Sequence, residues 1–322
     1  MYKAFFHLKR NPFEVSPDPY FMYATPCHNE AFASLYYGIR SHKGFMVMTG
    51  EVGTGKTLVL HYLTSQLDKL RVQYAYIFNP LLSSAEFLRY TMADLDLRVP
   101  NTGKNDILFQ LYTYLAQRQK IDQTTVLIVD EAHLLSPEVL EEIRLLGNLE
   151  NRQSKLLQVA LVGQPELDNR LDSPSLRQLK QRIALRSHLR PLTLEQTGEY
   201  INWRLARAGA NGQAPIFQPE AVIEVYEHSQ GYPRLINTIC ENALIFACGA
   251  QERTIASELI LEACKDLRIE KLNQREEAQK SSGSGHETRS PTGSEADNVR
   301  SGLPQAAPTM QPAAPREPGV GS

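Results

Sequence analysis

The chain has 322 residues, 42% of them hydrophobic and 22% charged, with a formal net charge of -2. These are ordinary values for a soluble globular protein long enough to bury a sizeable core in more than one unit. The near-neutral balance gives no global sign of nucleic-acid binding, and no run approaches the ~20 apolar residues of a membrane span. Cys27, Cys240, Cys248 and Cys264 match no zinc spacing and follow no secretory signal, so reduced thiols are expected.

Residues 1–12 are aromatic and basic, without the apolar run of a signal peptide, which predicts a cytoplasmic protein. Residues 44–49 (GFMVMT) read as a short buried strand ending in a glycine-rich turn. Helical periodicity follows over 58–70, a strand over 72–78 (VQYAYIF), and helices over 84–95 and 105–119. Ile107, Leu108, Leu111 and Leu115 share one face of the last. Residues 125–129 (TVLIV) read as a buried strand and 137–149 as a helix through Val139, Leu140, Ile143 and Leu146. A buried strand at 156–162, a helix at 175–183 and a short strand at 187–192 complete the pattern. Apolar strands alternating with helices predict an α/β unit, a parallel sheet covered on both faces by helices. Beyond 192 only helices are predicted, at 194–208, 219–229, 234–248 and 256–268. Thr193 opens the first, with Gln196 three residues on as in a capping box.

The expected division is an N-terminal segment at 1–42, an α/β nucleotide-binding domain at 43–192 and an all-α domain at 193–272. Residues 273–322 contain no Phe, Tyr or Trp and are rich in Ser, Gly, Ala and Pro, which predicts a disordered tail.

Gly50-Glu51-Val52-Gly53-Thr54-Gly55-Lys56-Thr57 fits the phosphate-binding loop of a P-loop NTPase, between a predicted strand and a predicted helix. Its glycines permit a tight turn with inward N–H groups, and the helix beginning near Leu58 adds its positive end. Lys56 is expected to reach the β and γ phosphates of ATP, and the Thr57 hydroxyl to reach Mg²⁺. At the end of TVLIV, Asp130 is expected on the metal and Glu131 to polarise the attacking water. Asp130-Glu131-Ala132-His133 also spells the DEAH box of helicases. Those proteins need a second sheet domain, for which 134–272 leaves no room, so His133 reads as a helix-start or supporting residue.

Gln164, at the tip of the neighbouring strand, is the candidate sensor of the γ-phosphate. Asn79, ending VQYAYIF, is a candidate to hold Glu131 away from the water until a partner binds. Arg177, Lys180, Arg182, Arg186 and Arg190 form a dense cation cluster. It could meet an acidic surface, bind nucleic acid, or place an arginine in a neighbouring subunit's nucleotide. Arg182 is the candidate for that last role and Arg177 the alternative. Gly231-Tyr232-Pro233-Arg234 starts a helix, and Arg234 would reach the γ-phosphate if the helical unit closes as a lid.

Taken in order, the phosphate loop, Asp130-Glu131, the Arg182 region and the Gly231-Tyr232-Pro233-Arg234 turn resemble the AAA+ ATPases, with the helical unit as the AAA+ lid domain. A closer resemblance is carried by several segments. They are Asn11-Pro12-Phe13-Glu14-Val15-Ser16-Pro17-Asp18-Pro19, His28-Asn29-Glu30-Ala31 leading to Gly38-Ile39, TGEVGTGKT, and Gln181-Arg182-Ile183-Ala184-Leu185-Arg186 with His188-Leu189-Arg190-Pro191-Leu192. These look like the general secretion pathway protein A (ExeA-type) family. That resemblance implies ATP hydrolysis coupled to assembly of cell-envelope machinery for secretion, pili or export. It implies a homo-oligomer, an envelope-assembly partner that could bring the protein to the inner membrane, and an N-terminal segment near the adenine through Pro12, Phe13 and His28. Secretion members continue into a membrane span and a peptidoglycan-binding domain, where this sequence has its polar tail, so direct action on peptidoglycan is not expected. A DNA-associated AAA+ regulator of the transposition-targeting type, motivated by the cations from Arg177 to Arg190, is the alternative.

Overall fold

Five strands, β1 (Phe45–Gly50), β2 (Gln73–Ile77), β3 (Thr125–Val129), β4 (Gln158–Gly163) and β5 (Ile183–Leu189), pair in parallel in the order β2-β3-β4-β1-β5. The structure is a computed structural model and describes residues 2–271 except 15, 17, 100–102, 151–154 and 211–214. The tail expected at 273–322 lies outside the described residues.

The three inner strands are buried along their whole length, as apolar sequence on both faces requires. Alternate residues then serve opposite layers. Val47, Leu127, Val129, Val159 and Leu161 face one core with α4 (Ser84–Asp94), α5 (Lys104–Lys120) and α6 (Pro137–Leu146). Met46, Met48, Val126, Ile128, Ala160 and Val162 face the other with α2 (Pro26–Arg40) and α3 (Lys56–Lys69).

The last strand differs from its expected range. It begins at Ile183, where a helix was predicted, and ends at Leu189, before the predicted end at 192. β5 is an edge strand, and Ala184, Arg186 and His188 point to solvent from it. A continuous apolar run does not mark the bounds of such a strand, because its burial alternates. The helix predicted over 175–183 shrinks to a 3-10 turn at Pro174–Leu176 and α8 (Arg177–Lys180). The 15-residue α2 also falls outside the predicted helices, and two more, α1 (Tyr2–Phe5) and α7 (Glu166–Leu171), are too short to carry a periodic signal.

The helical unit comprises α9 (Leu194–Arg207), α10 (Pro219–Ser229), α11 (Pro233–Ala250) and α12 (Ser257–Asp266). Thr193 and Gln196 form the reciprocal capping box that opens α9. The core of this unit includes Tyr2, Phe6, Leu8, Phe13 and Phe21 from the N-terminal segment. The N-terminal segment through Phe21, in its described residues, thus packs on the helical unit, while Met22, Ala24 and α2 join the core beside the sheet. Polar contacts fix this packing. Arg204 donates to the carbonyls of Pro12 and Glu14, and Arg207 donates to that of Tyr20. The four cysteines are all free thiols. No helix among the described residues is long and apolar enough to cross a membrane.

Candidate functional site

Parallel strands bring their C-terminal ends to one edge of the sheet, where chain segments leave them and side chains are free to act. β1 delivers the phosphate loop there. Gly53 and Gly55 take φ of +82° and +98°, which side chains with a Cβ adopt only at a cost. They also have no room for one. A Cβ on Gly53 would lie 2.8 Å from Arg234 Cβ, and one on Gly55 would lie 3.0 Å from His28 Nε2. The loop is therefore pressed between the start of α11 and the start of α2.

Lys56 Nζ curls back onto the carbonyls of Gly50 and Glu51, at 2.7 and 3.0 Å. Burial pushes this ammonium below its ordinary range, against the pull of Glu131, Asp130 and Glu51. A buried cation held chiefly by carbonyl dipoles is a ready partner for an anion. Thr57 Oγ1 lies 3.3 Å from Asp130 Oδ2. Asp130 Oδ1 accepts from the Glu131 N–H at 2.9 Å, and Oδ2 accepts from the Tyr76 hydroxyl at 3.0 Å. Burial first, and then the Asp130 charge, keep the Tyr76 phenol protonated far above its ordinary range, so it stays a donor. No cluster of three His, Cys, Asp or Glu side chains that could hold a metal occurs among the described residues. The hydroxyl and carboxylate of Thr57 and Asp130 instead fit an ion such as Mg²⁺, which takes few protein ligands and completes its shell with phosphate oxygens and water.

A cleft of about 300 Å³ opens over the loop. Val52 to Leu58 and Glu131 form its floor, and Asp18, Phe21 and Tyr23 of the N-terminal segment form one wall. Tyr200, Arg204, Pro233, Arg234 and Asn237 of the helical unit form the roof. The turn before Arg234 depends on Gly231, whose φ is +73° and whose Cβ would fall 1.9 Å from the Leu192 carbonyl oxygen. Leu192 N–H donates to the Gly231 carbonyl at 2.8 Å, so the helical unit is anchored beside the end of the sheet domain.

His28 braces the loop from α2. Its Nε2 donates to the Thr54 carbonyl at 2.9 Å, and its Nδ1 accepts from the Thr25 hydroxyl at 2.6 Å. Burial holds its pKa below the ordinary 6.5, although the Thr54 bond pulls the other way. The unfolded imidazole takes up a proton near 6.5 and the folded one only at lower pH. The contribution of His28 to stability is therefore full above 6.5 and declines as pH falls toward the folded value, by up to about 1.4 kcal/mol per pH unit. Urea unfolding at pH 7.5 and 5.5 is expected to show this loss, and His28→Gln to remove that part of it. An identical pH dependence in His28→Gln would refute the assignment.

The structure brings most of the predicted site residues to this edge. Gln164 follows β4, whose Gly163 pairs with Thr49 just before the loop. Pro12 gives its carbonyl to Arg204, and Phe13 lies edge-on to Phe217 in the helical core rather than lining the cleft. Asn79 Oδ1 accepts from Leu81 N–H at 3.3 Å, and His133 Nδ1 lies 3.3 Å from Glu131 Oε2. Arg182 lies away from its own cleft. It precedes Ile183, which pairs with Phe45 at the start of β1, whereas the loop leaves the far end. At ~3.3 Å per residue the six residues of β1 put that arginine roughly 17 Å or more from the phosphate loop. Its guanidinium donates to Asn148 Oδ1 and, at 3.3 Å, to the Arg144 carbonyl. Arg177 is exposed on α8. Tyr76, Arg204, Tyr200 and Asn237 escaped the sequence reading. Tyr76 alone left a signal, a polar-tipped residue in a strand next to the carboxylate strand.

Residues 39–171 match the AAA domain family. The General secretion pathway protein A of Aeromonas hydrophila is 44% identical over 248 residues, covering 77% of this chain and 45% of that protein. The chain thus spans about half the length of this relative. The Aeropyrum pernix ORC2 protein, in ADPNP-ADP complexes, superposes with a TM-score of 0.58 at 15% identity, over 80% of this chain and 71% of that one. Drosophila ORC bound to DNA gives 0.62 at 20% identity, over 83% and 66%. At such identities the likeness is one of fold. Sheet order, phosphate loop and helical roof together define an AAA-domain P-loop NTPase, a class that binds nucleotide with a divalent metal. Within that class the chain is a homologue of General secretion pathway protein A.

Proposed function

We propose that this protein hydrolyses ATP with Mg²⁺ and uses the cycle to drive or switch the assembly of cell-envelope secretion, pilus or export machinery. The observation that carries the hydrolytic reading is the meeting of Lys56, Thr57, Asp130, Glu131 and Arg234 around one cleft. The envelope role rests on homology with General secretion pathway protein A.

Lys56 leaves the Gly50 and Glu51 carbonyls for the β and γ phosphates, and the loop N–H groups hold the remaining phosphate charge. Thr57 and Asp130 would hold Mg²⁺, which neutralises developing charge on the phosphates. Glu131 takes the proton of the attacking water. Gln164 reads the γ-phosphate from the tip of β4. Arg234 meets the same group from α11, so loss of that phosphate frees the helical roof and the N-terminal segment joined to it. The aromatic rings of that wall and roof, Phe21, Tyr23 and Tyr200, suit the adenine.

Arg182 cannot serve its own cleft, which supports its action in trans in a homo-oligomer. Specific ATPase activity is expected to rise with protein concentration. Arg182→Ala is expected to lower the plateau by about 10³-fold, the scale of an arginine finger, while nucleotide affinity holds. Activity independent of concentration in a monomer would sink the oligomeric reading. In-chain partners are taken by two other cations of the same cluster, through Lys180–Asp172 and Arg186–Asp168. This weakens the case for the alternative DNA-binding role.

A further inference from the structure

Two strand ends meet on one imidazole. Glu131 follows β3, Gln164 follows β4, and His133 lies in the 3-10 turn Ala132–Leu134 between β3 and α6. His133 Nδ1 is 3.3 Å from Glu131 Oε2, and the side-chain amide nitrogen of Gln164 is 2.9 Å from Nε2. A neutral imidazole has one donor and one acceptor nitrogen. With the Gln164 amide nitrogen turned to Nε2, that nitrogen accepts and the ring proton falls on Nδ1, facing the carboxylate. The backbone N–H of Gln164 also approaches Nδ1, at 3.4 Å, near the limit for a hydrogen bond. The carboxylate is the stronger partner for the ring because its charge strengthens the bond.

The ring is held in this place. Its side chain is 10% exposed. Arg170 of α7 donates to the carbonyls of His133 and Leu135. Gly163, just before Gln164, approaches so closely that a Cβ there would lie 3.1 Å from the His133 backbone nitrogen and 3.4 Å from Nδ1. The turn bearing the imidazole and the strand tip bearing the amide are therefore tied together. Glu131 sits at φ 51°, ψ 35°, a left-handed conformation that a residue with a Cβ keeps only when its surroundings hold it.

We infer that His133 is a positioning residue that couples Gln164 to Glu131. When Gln164 shifts at the tip of β4, the imidazole turns with it and changes where the Glu131 carboxylate is held. Sensing of the γ-phosphate and placement of the base become one event. The inference rests on the reading of Glu131 as the water-activating base and of Gln164 as facing the γ-phosphate.

The test measures steady-state ATP turnover and equilibrium binding of a fluorescent ATP analogue on the full chain. The variants are His133→Ala, His133→Asn, Gln164→Ala, each His133 change combined with Gln164→Ala, and Glu131→Gln. His133→Ala and Gln164→Ala are each expected to lower kcat about 10-fold or more, the usual effect of removing a partner that orients a functional group, with analogue affinity within about twofold. The double variant should turn over no more slowly than the worse single one, because both changes break the same link. Asn retains an N–H near the Nδ1 position but cannot reach Gln164, so His133→Asn should match Gln164→Ala. Effects that multiply in the double variant, or an unchanged kcat in His133→Ala, would overturn the inference. Should His133→Ala fail to fold, the same comparison is read on His133→Asn and its double. Parent-like turnover in Glu131→Gln would remove the catalytic reading itself. An inactive Glu131→Gln together with multiplying effects at His133 and Gln164 would remove the coupling alone.

Discussion

Glu131→Gln is expected to cut ATP turnover by about 10²- to 10⁴-fold, the range of a lost general base, while nucleotide affinity stays within about threefold. The change keeps the side-chain shape and removes only charge and basicity. It leaves Asp130 with its bonds to the Glu131 N–H and the Tyr76 hydroxyl, so that carboxylate stays where it is. It leaves Lys56 on the Gly50 and Glu51 carbonyls, so the phosphate loop is intact. The left-handed backbone at this position is no worse for Gln than for Glu, and folding stability should change little. A burst experiment would show ATP bound and uncleaved. Turnover within about threefold of the parent would assign water activation to another group.

The legible part of this protein is the part dictated by burial on both faces. GFMVMT, TVLIV and LLQVALV have nowhere to go but the centre of a parallel sheet, and β1, β3 and β4 are those runs. The phosphate loop and Asp130-Glu131 were legible for a different reason. The chemistry demands those residue types at those spacings, beside strands that parallel pairing sets next to each other. What escaped depends on contacts between distant segments. The first four residues of β5 lie outside the strand expected at 187–192, because burial at the sheet edge alternates instead of running continuously. The packing of the N-terminal segment on the helical unit is fixed in part by Arg204 and Arg207, about 190 residues away from the carbonyls they hold. His133 and Gln164 are 31 residues apart, and their meeting follows from the neighbouring places of β3 and β4, not from any motif.

Replacing Lys56 with Ala removes the cation expected on the β and γ phosphates, and its effect on binding can be read apart from turnover. The ammonium contributes charge-assisted bonds to phosphate worth about 1.5–3 kcal/mol each, so ATP affinity should fall about 10- to 100-fold. In the ligand-free protein the same change has opposing consequences. It removes a buried charge whose desolvation lowers its own pKa, and it leaves Asp130, Glu131 and Glu51 without their shared cation. These oppose each other, so unfolding without nucleotide should shift little. The thermal shift produced by ATP separates the two effects. Ligand at 100 times its Kd stabilises the parent by about 2.7 kcal/mol, and a hundredfold loss of affinity leaves about 0.4 kcal/mol at the same concentration. Differential scanning of parent and variant with and without ATP would read this difference. An ATP shift preserved in the variant would mean that loop N–H groups and Arg234 hold the phosphates without the lysine. The close approach of Arg234 to Gly53 makes that arginine the next residue to replace in that event.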